Sequence, residues 1–125
     1  MTNLLIVMAG GGLGAGMRHL SNLAAARILG MGFPWGTVFV NVFGSFLMGL
    51  VVELLARKFG MSQHWRLFIA TGFLGGFTTF SSFSLDTVNL IDRGATGIAF
   101  AYVLASVLLG ISGLFAGLSF GKLFT

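Results

Sequence analysis

Four apolar runs, at about residues 4–29, 33–56, 65–91 and 94–120, occupy nearly the whole of this 125-residue sequence. Each reaches the roughly 20 residues that an α-helix needs to cross the hydrocarbon core of a bilayer. In lipid the backbone has no water to bond with, so a spanning run must satisfy its own N–H and C=O groups as a helix. The interruptions have chemical causes: Gly30, Gly32 and Pro34 end the first run, Arg57, Lys58, Gly60 and Ser62 the second, and Asp92, Arg93 and Gly94 the third. The expectation is an all-α integral membrane protein of four transmembrane helices, forming a single domain over residues 1–125.

Composition excludes the alternatives. With 56% hydrophobic residues, 8% charged residues and a mean hydropathy of +0.98, the chain cannot present a water-facing surface. Twenty glycines against one proline point to helices in close approach. Cysteine is absent, which rules out disulfides and thiolate metal sites. The net charge of +4 is carried by scattered loop residues suited to lipid headgroups, and no basic run supports a nucleic-acid partner. Residues 1–3 offer no basic start, so the first run reads as a retained span rather than a signal peptide. Arg57, Lys58, Arg66 and Lys122 fall on the side of the termini, and Arg27 and Arg93 on the other. That balance mildly favours a cytoplasmic N-terminus and leaves open both a single topology and a chain that inserts both ways and pairs antiparallel.

Inside the third run lies GGFTTFSSFS, residues 75–84, with paired glycines and five hydroxyl side chains. Gly and Thr here invite a break in the helix, which membrane depth tolerates only where the freed groups line a cavity or are buried in protein. Asn41 shares one helical face with Thr37 and Ser45, either as interhelical hydrogen-bond glue or as the lining of an ion path. Arg18 interrupts the first run, where a charge costs on the order of 3 kcal/mol. It can snorkel, bind lipid or sit at an aqueous vestibule. His19 and His64 lack carboxylate neighbours at ligand spacing and make a poor metal site. Glu53 and Asp86 approach the ends of their runs and Asp92 lies in a loop, so none makes a strong proton relay. Most of the fourteen phenylalanines are packing, but Phe80 and Phe83 stand three apart beside the suspected break. Their ring edges carry partial positive charge that can accompany an anion. Gly10 with Gly14, Gly12 with Gly16, and the row Gly113, Gly117 and Gly121 are small-xxx-small contacts rather than a nucleotide loop.

Three motifs, GGLGAGMR at 11–18, GTVFVNVFGSFLMG at 36–49 and GFLGGFTTFSSFS at 72–84, resemble the bacterial fluoride channels called Fluc or CrcB in order, spacing and placement. That resemblance implies an antiparallel dual-topology homodimer in the bacterial inner membrane, with the third helix broken near mid-membrane, two fluoride pores and a structural sodium ion on the dimer axis. It implies that Asn41 faces the pore, with Phe80 and Phe83 as an aromatic box and Thr37, Thr79, Ser81, Tyr102 and Ser106 along the route. Arg18 would lie in the vestibule, and the carbonyls of Gly75 and Thr78 would hold the sodium. The chain departs from the family at Gly110, which lacks a hydroxyl, and at Ser82, where threonine is usual. A small drug or guanidinium exporter of similar size would want a carboxylate in the first run, which has none. An enzyme is not expected, because no nucleophile, base and orienting group stand together.

Overall fold

The computed structural model describes residues 1–124, and among these the regular structure is entirely helical. The first helix spans Thr2–Leu29, the second Trp35–Lys58, the third Gln63–Asp92 and the fourth Thr96–Lys122. Every end lies within two residues of the expected run. The last three helices are long and apolar enough to cross a membrane by length and composition. The first has the length, at 28 residues, but five glycines and the cluster Arg18, His19, Ser21 and Asn22 dilute its hydropathy. The turns after the first and third helices run through Gly30 at φ 81° and Gly94 at φ 85°, left-handed values that a Cβ would strain.

Glycine sets how closely the helices meet. Gly10 and Gly14 lie directly on the backbone of residues 68–77, so that a methyl at either would collide with main-chain atoms, and Gly76 faces Gly11 in the same way. Gly113 and Gly117 lie against Val42, Phe46 and Gly49, which places the fourth helix alongside the second with both running in the same direction. Gly12 and Gly16 differ from expectation: nothing approaches within 4 Å of a Cβ there, so within one chain their face is open.

Two segments are wound wider than an α-helix: Val51–Lys58 closes the second helix and Leu67–Leu74 leads the third toward its interruption. Such π-type turns are uncommon and shift the faces that follow them. Within the first of these, Glu53 is buried and pairs with Arg57 at 3.3 Å. The enclosed core is small, centred on Val40, Leu74 and Tyr102. Large apolar side chains such as Leu5, Met8, Phe100, Leu108 and Phe115 point outward. A water-soluble protein would hide that surface, whereas hydrocarbon solvates it.

Candidate functional site

The third helix is broken, but not at its glycines. Gly75 has helical dihedrals, φ −62° and ψ −37°, and Gly75–Phe77 still belongs to the helix. The chain leaves helical geometry at Thr78, φ −85° and ψ 158°, and Thr79, φ −153° and ψ 119°, before Phe80 restarts it. Gly76 is glycine because Gly11 lies against it, not because the backbone needs its freedom.

What holds the break open is a clamp from the second helix. Asn41 Oδ1 accepts the Thr79 N–H at 2.7 Å while Asn41 Nδ2 donates to the Thr79 carbonyl at 2.9 Å. The amide side chain thus stands in for a peptide and satisfies both backbone groups of one residue. Thr79 Oγ1 accepts the Ser82 N–H at 3.1 Å and caps the restarting helix, with the Ser81 hydroxyl 3.3 Å away. In an uninterrupted helix the Thr79 N–H would bond the Gly75 carbonyl, and the Ser82 N–H the Thr78 carbonyl. Both donors are redirected, which leaves those two carbonyls without their helical partners.

A second polar cluster lies toward the first loop. Asp86 Oδ2 accepts from the Thr37 hydroxyl at 2.7 Å and from the Tyr102 hydroxyl at 3.1 Å. Three helices therefore meet on one carboxylate oxygen. Sequence reasoning put Asp86 near the end of its run and passed over it. The missed signal is spacing, since Asp86 is four residues after Ser82 and three after Phe83 and so shares their face. The Tyr102 ring, fully enclosed, meets Phe33 edge-on at 5.4 Å and Phe83 at 5.3 Å, and Phe83 in turn meets Phe80 at 5.6 Å.

Beside the Asn41–Thr79 cluster lies an open cavity of about 500 Å³, bounded by Asn41, Ser45, Thr79, Phe80, Phe83 and Ser106 among others. Ser106 Oγ is buried without a hydrogen-bond partner. A second cavity of about 400 Å³ lies on the far side of Thr37 and Asp86, with Asn22, Ser82, Asn89 and Arg93 on its wall. Of the residues expected on the route, Asn41, Thr79, Phe80, Phe83 and Ser106 line the first cavity, Thr37 lines the second, and Ser81 and Tyr102 join them by direct contact. Arg18 lines neither cavity and is half-buried on the first helix. No group of three His, Cys, Asp or Glu side chains able to hold a metal occurs among the described residues.

The family model described as "CrcB-like protein, Camphor Resistance (CrcB)" matches residues 5–118. The chain belongs to the CrcB-like family. Its CrcB-like relatives include a protein of Mesorhizobium japonicum that is 58% identical over 118 residues, covering 94% of each chain. Another, from a Chelativorans species, is 61% identical over 118 residues, again with 94% of each covered. A third, from Agrobacterium fabrum, is 52% identical over 122 residues and 98% of each. All three carry the name "Fluoride-specific ion channel FluC". CrcB-like proteins of this kind are ion channels rather than enzymes, in line with the expectation from sequence.

Proposed function

We propose that this chain is a fluoride-selective channel that lets fluoride leave the cell passively across the bacterial inner membrane, working as an antiparallel dual-topology homodimer with two pores. The observation that carries this reading is the Asn41 clamp on Thr79, which opens a helix at a cavity wall beside hydroxyl donors and two phenylalanine rings. Fluoride is small and tightly hydrated, so a path through a membrane must replace its water with donors at close range. The second Nδ2 proton of Asn41 and the hydroxyls of Ser81 and Ser106 supply such donors, and the edges of Phe80 and Phe83 accompany the ion. No lysine or arginine lies between Arg66 and Arg93 to hold it too firmly. The names of the relatives supply the identity of the ion.

A sodium ion at the dimer axis fits the donor set. The carbonyls of Gly75 and Thr78 lose their helical donors at the break, Gly75 is exposed on the surface of one chain, and unwound carbonyls are suitable cation ligands. A two-fold inverted partner would bring the same pair of carbonyls, making four oxygens without a carboxylate. Bound there, the ion would offset the cost of bringing an anion into low dielectric.

Fluoride and chloride efflux from liposomes holding the purified protein tests the channel itself. Fluoride release with no chloride release is expected, and equal release of both would defeat the selectivity. Orientation is tested separately with Ser62→Cys, the sole cysteine in such a variant, and an impermeant thiol reagent in intact membranes. Reaction from both sides is expected, and labelling confined to one side in a fully active preparation would sink the dual topology.

A further inference from the structure

We infer that Ser45 is a further ion-contacting residue, which takes over hydroxyl donation on the second helix where the fourth helix runs out of it. The inference rests on the fluoride-channel reading above and extends its route past Asn41.

The route along the fourth helix begins with Tyr102, whose hydroxyl is committed to Asp86. One turn on is Ser106, whose Oγ is buried and unpartnered while the residue lines the first cavity. A buried hydroxyl in a native fold has a partner, so its donor serves whatever occupies that cavity. The next turn offers nothing of the kind. Gly110 has no side chain, a Cβ there would meet no atom within 4 Å, and the cavity wall continues as Ile111 and Leu114.

The second helix fills the gap. Gly113 abuts the Val42 carbonyl and the Phe46 N–H, so Ser45, between those two residues, stands level with Gly113. Ser45 lines the same cavity as Ser106 and Gly110, one turn beyond Asn41. Its neighbours on that wall, Gly44, Met48 and Leu74, carry no side-chain donor. Thr78 also reaches the cavity, but its hydroxyl is turned back to the Leu74 carbonyl at 2.9 Å. Ser45 is then the hydroxyl available to an anion that has passed Asn41, and the donor row crosses from the fourth helix to the second.

The test is fluoride efflux from liposomes holding the wild type, Ser45→Ala, Ser45→Thr and the double variant Ser45→Ala with Gly110→Ser. Efflux in Ser45→Ala should fall about tenfold, the change expected from losing one hydrogen bond to a charged group. Elution of the variant on size exclusion should match the wild type. Ser45→Thr keeps the hydroxyl and should conduct. The double variant restores a hydroxyl from the opposite wall, in space that is open, and should recover most of the loss. A packing role for Ser45 would not be rescued from the fourth helix. Wild-type efflux in Ser45→Ala, or a loss that neither Ser45→Thr nor Gly110→Ser relieves, would overturn the inference. A wild type that passes no fluoride strikes instead at the channel reading on which it rests.

Discussion

Asn41→Ala removes the clamp together with an amide on the cavity wall, and the clamp's share of the stability can be worked out from the structure. Two hydrogen bonds go, at 2.9 and 2.7 Å, and both strand main-chain groups of Thr79, a residue only 7% exposed. A net hydrogen bond contributes about 1 kcal/mol, and a buried group left without a partner costs about 1–3 kcal/mol. The site opens on a cavity that can admit water to the stranded groups, so the lower part of that range applies and the total is about 2–3 kcal/mol. For a chain of this size that corresponds to a melting temperature lower by about 10 °C. Trp35 and Trp65 provide the fluorescence with which to follow unfolding of the purified protein in detergent. Fluoride efflux should collapse in the same variant, because the break that forms the cavity wall loses its geometry. Asn41→Asp keeps the acceptor for the Thr79 N–H but, when ionised, turns an acceptor toward the Thr79 carbonyl and has no donor for an anion. It too should stop fluoride. An Asn41→Ala protein that melts within about 2 °C of the wild type would refute the clamp, because two stranded backbone groups cannot cost so little.

Phe80 is 77% exposed within one chain, so Phe80→Ile should leave melting nearly unchanged while lowering fluoride efflux; wild-type efflux in both Phe80→Ile and Phe83→Ile would return these rings to packing. Gly76→Ala drives a methyl into the Gly11 backbone and should cost about 1–3 kcal/mol as overpacking, read as a lower melting temperature, whereas Gly12→Ala meets nothing within 4 Å in the same chain. If Gly12→Ala instead abolishes the proposed dimer on size exclusion, that open face is where its partner sits. Asp86→Ala strands the Thr37 and Tyr102 hydroxyls together and should cost about 2–5 kcal/mol; Asp86→Asn retains an acceptor oxygen and should be milder, and equal melting of the two would show that the carboxylate oxygen is not what holds these helices.

The helices could be read from the sequence because length and apolar content decide what crosses a bilayer, and the turn residues mark where each helix stops. The break was legible as a segment but not as a residue. Glycine pairs suggest flexible backbone, yet here they serve close packing, and the departure from helix comes at Thr78 and Thr79 because a donor and acceptor on another helix wait there. Asn41 was legible as a polar residue at depth, on a face with Thr37 and Ser45. Its double bond to Thr79 was not, since pairing across 38 positions is decided only when the second and third helices dock. Asp86 was missed for a related reason: a carboxylate looks like a span terminus in one dimension and becomes a hub when two hydroxyls from other helices converge on it. Thr37 was legible on the Asn41 face, whereas Tyr102 and Ser106 entered as route residues through family resemblance; in the structure Ser106 lines the first cavity, Thr37 the second, and the Tyr102 hydroxyl bonds Asp86.

The clamp also says something about how such a chain is made. A nascent third span meets lipid before it has settled against its neighbours, and in lipid an unpaired peptide group is too costly to leave open. The intact run of i to i−4 bonds is the form that satisfies the segment by itself, so it should enter the bilayer as one continuous rod. Only when Asn41 comes alongside can the Thr79 peptide exchange its own-helix partners for a side-chain amide. The kink is then acquired on assembly, and a synthetic peptide of residues 63–92 alone in lipid should keep amide protection through Thr79 that the folded protein redistributes. Forming the wall of the first cavity is thus a step of biogenesis, completed when the second and third helices dock, and a misplaced second helix would leave the third unbroken and that wall unformed.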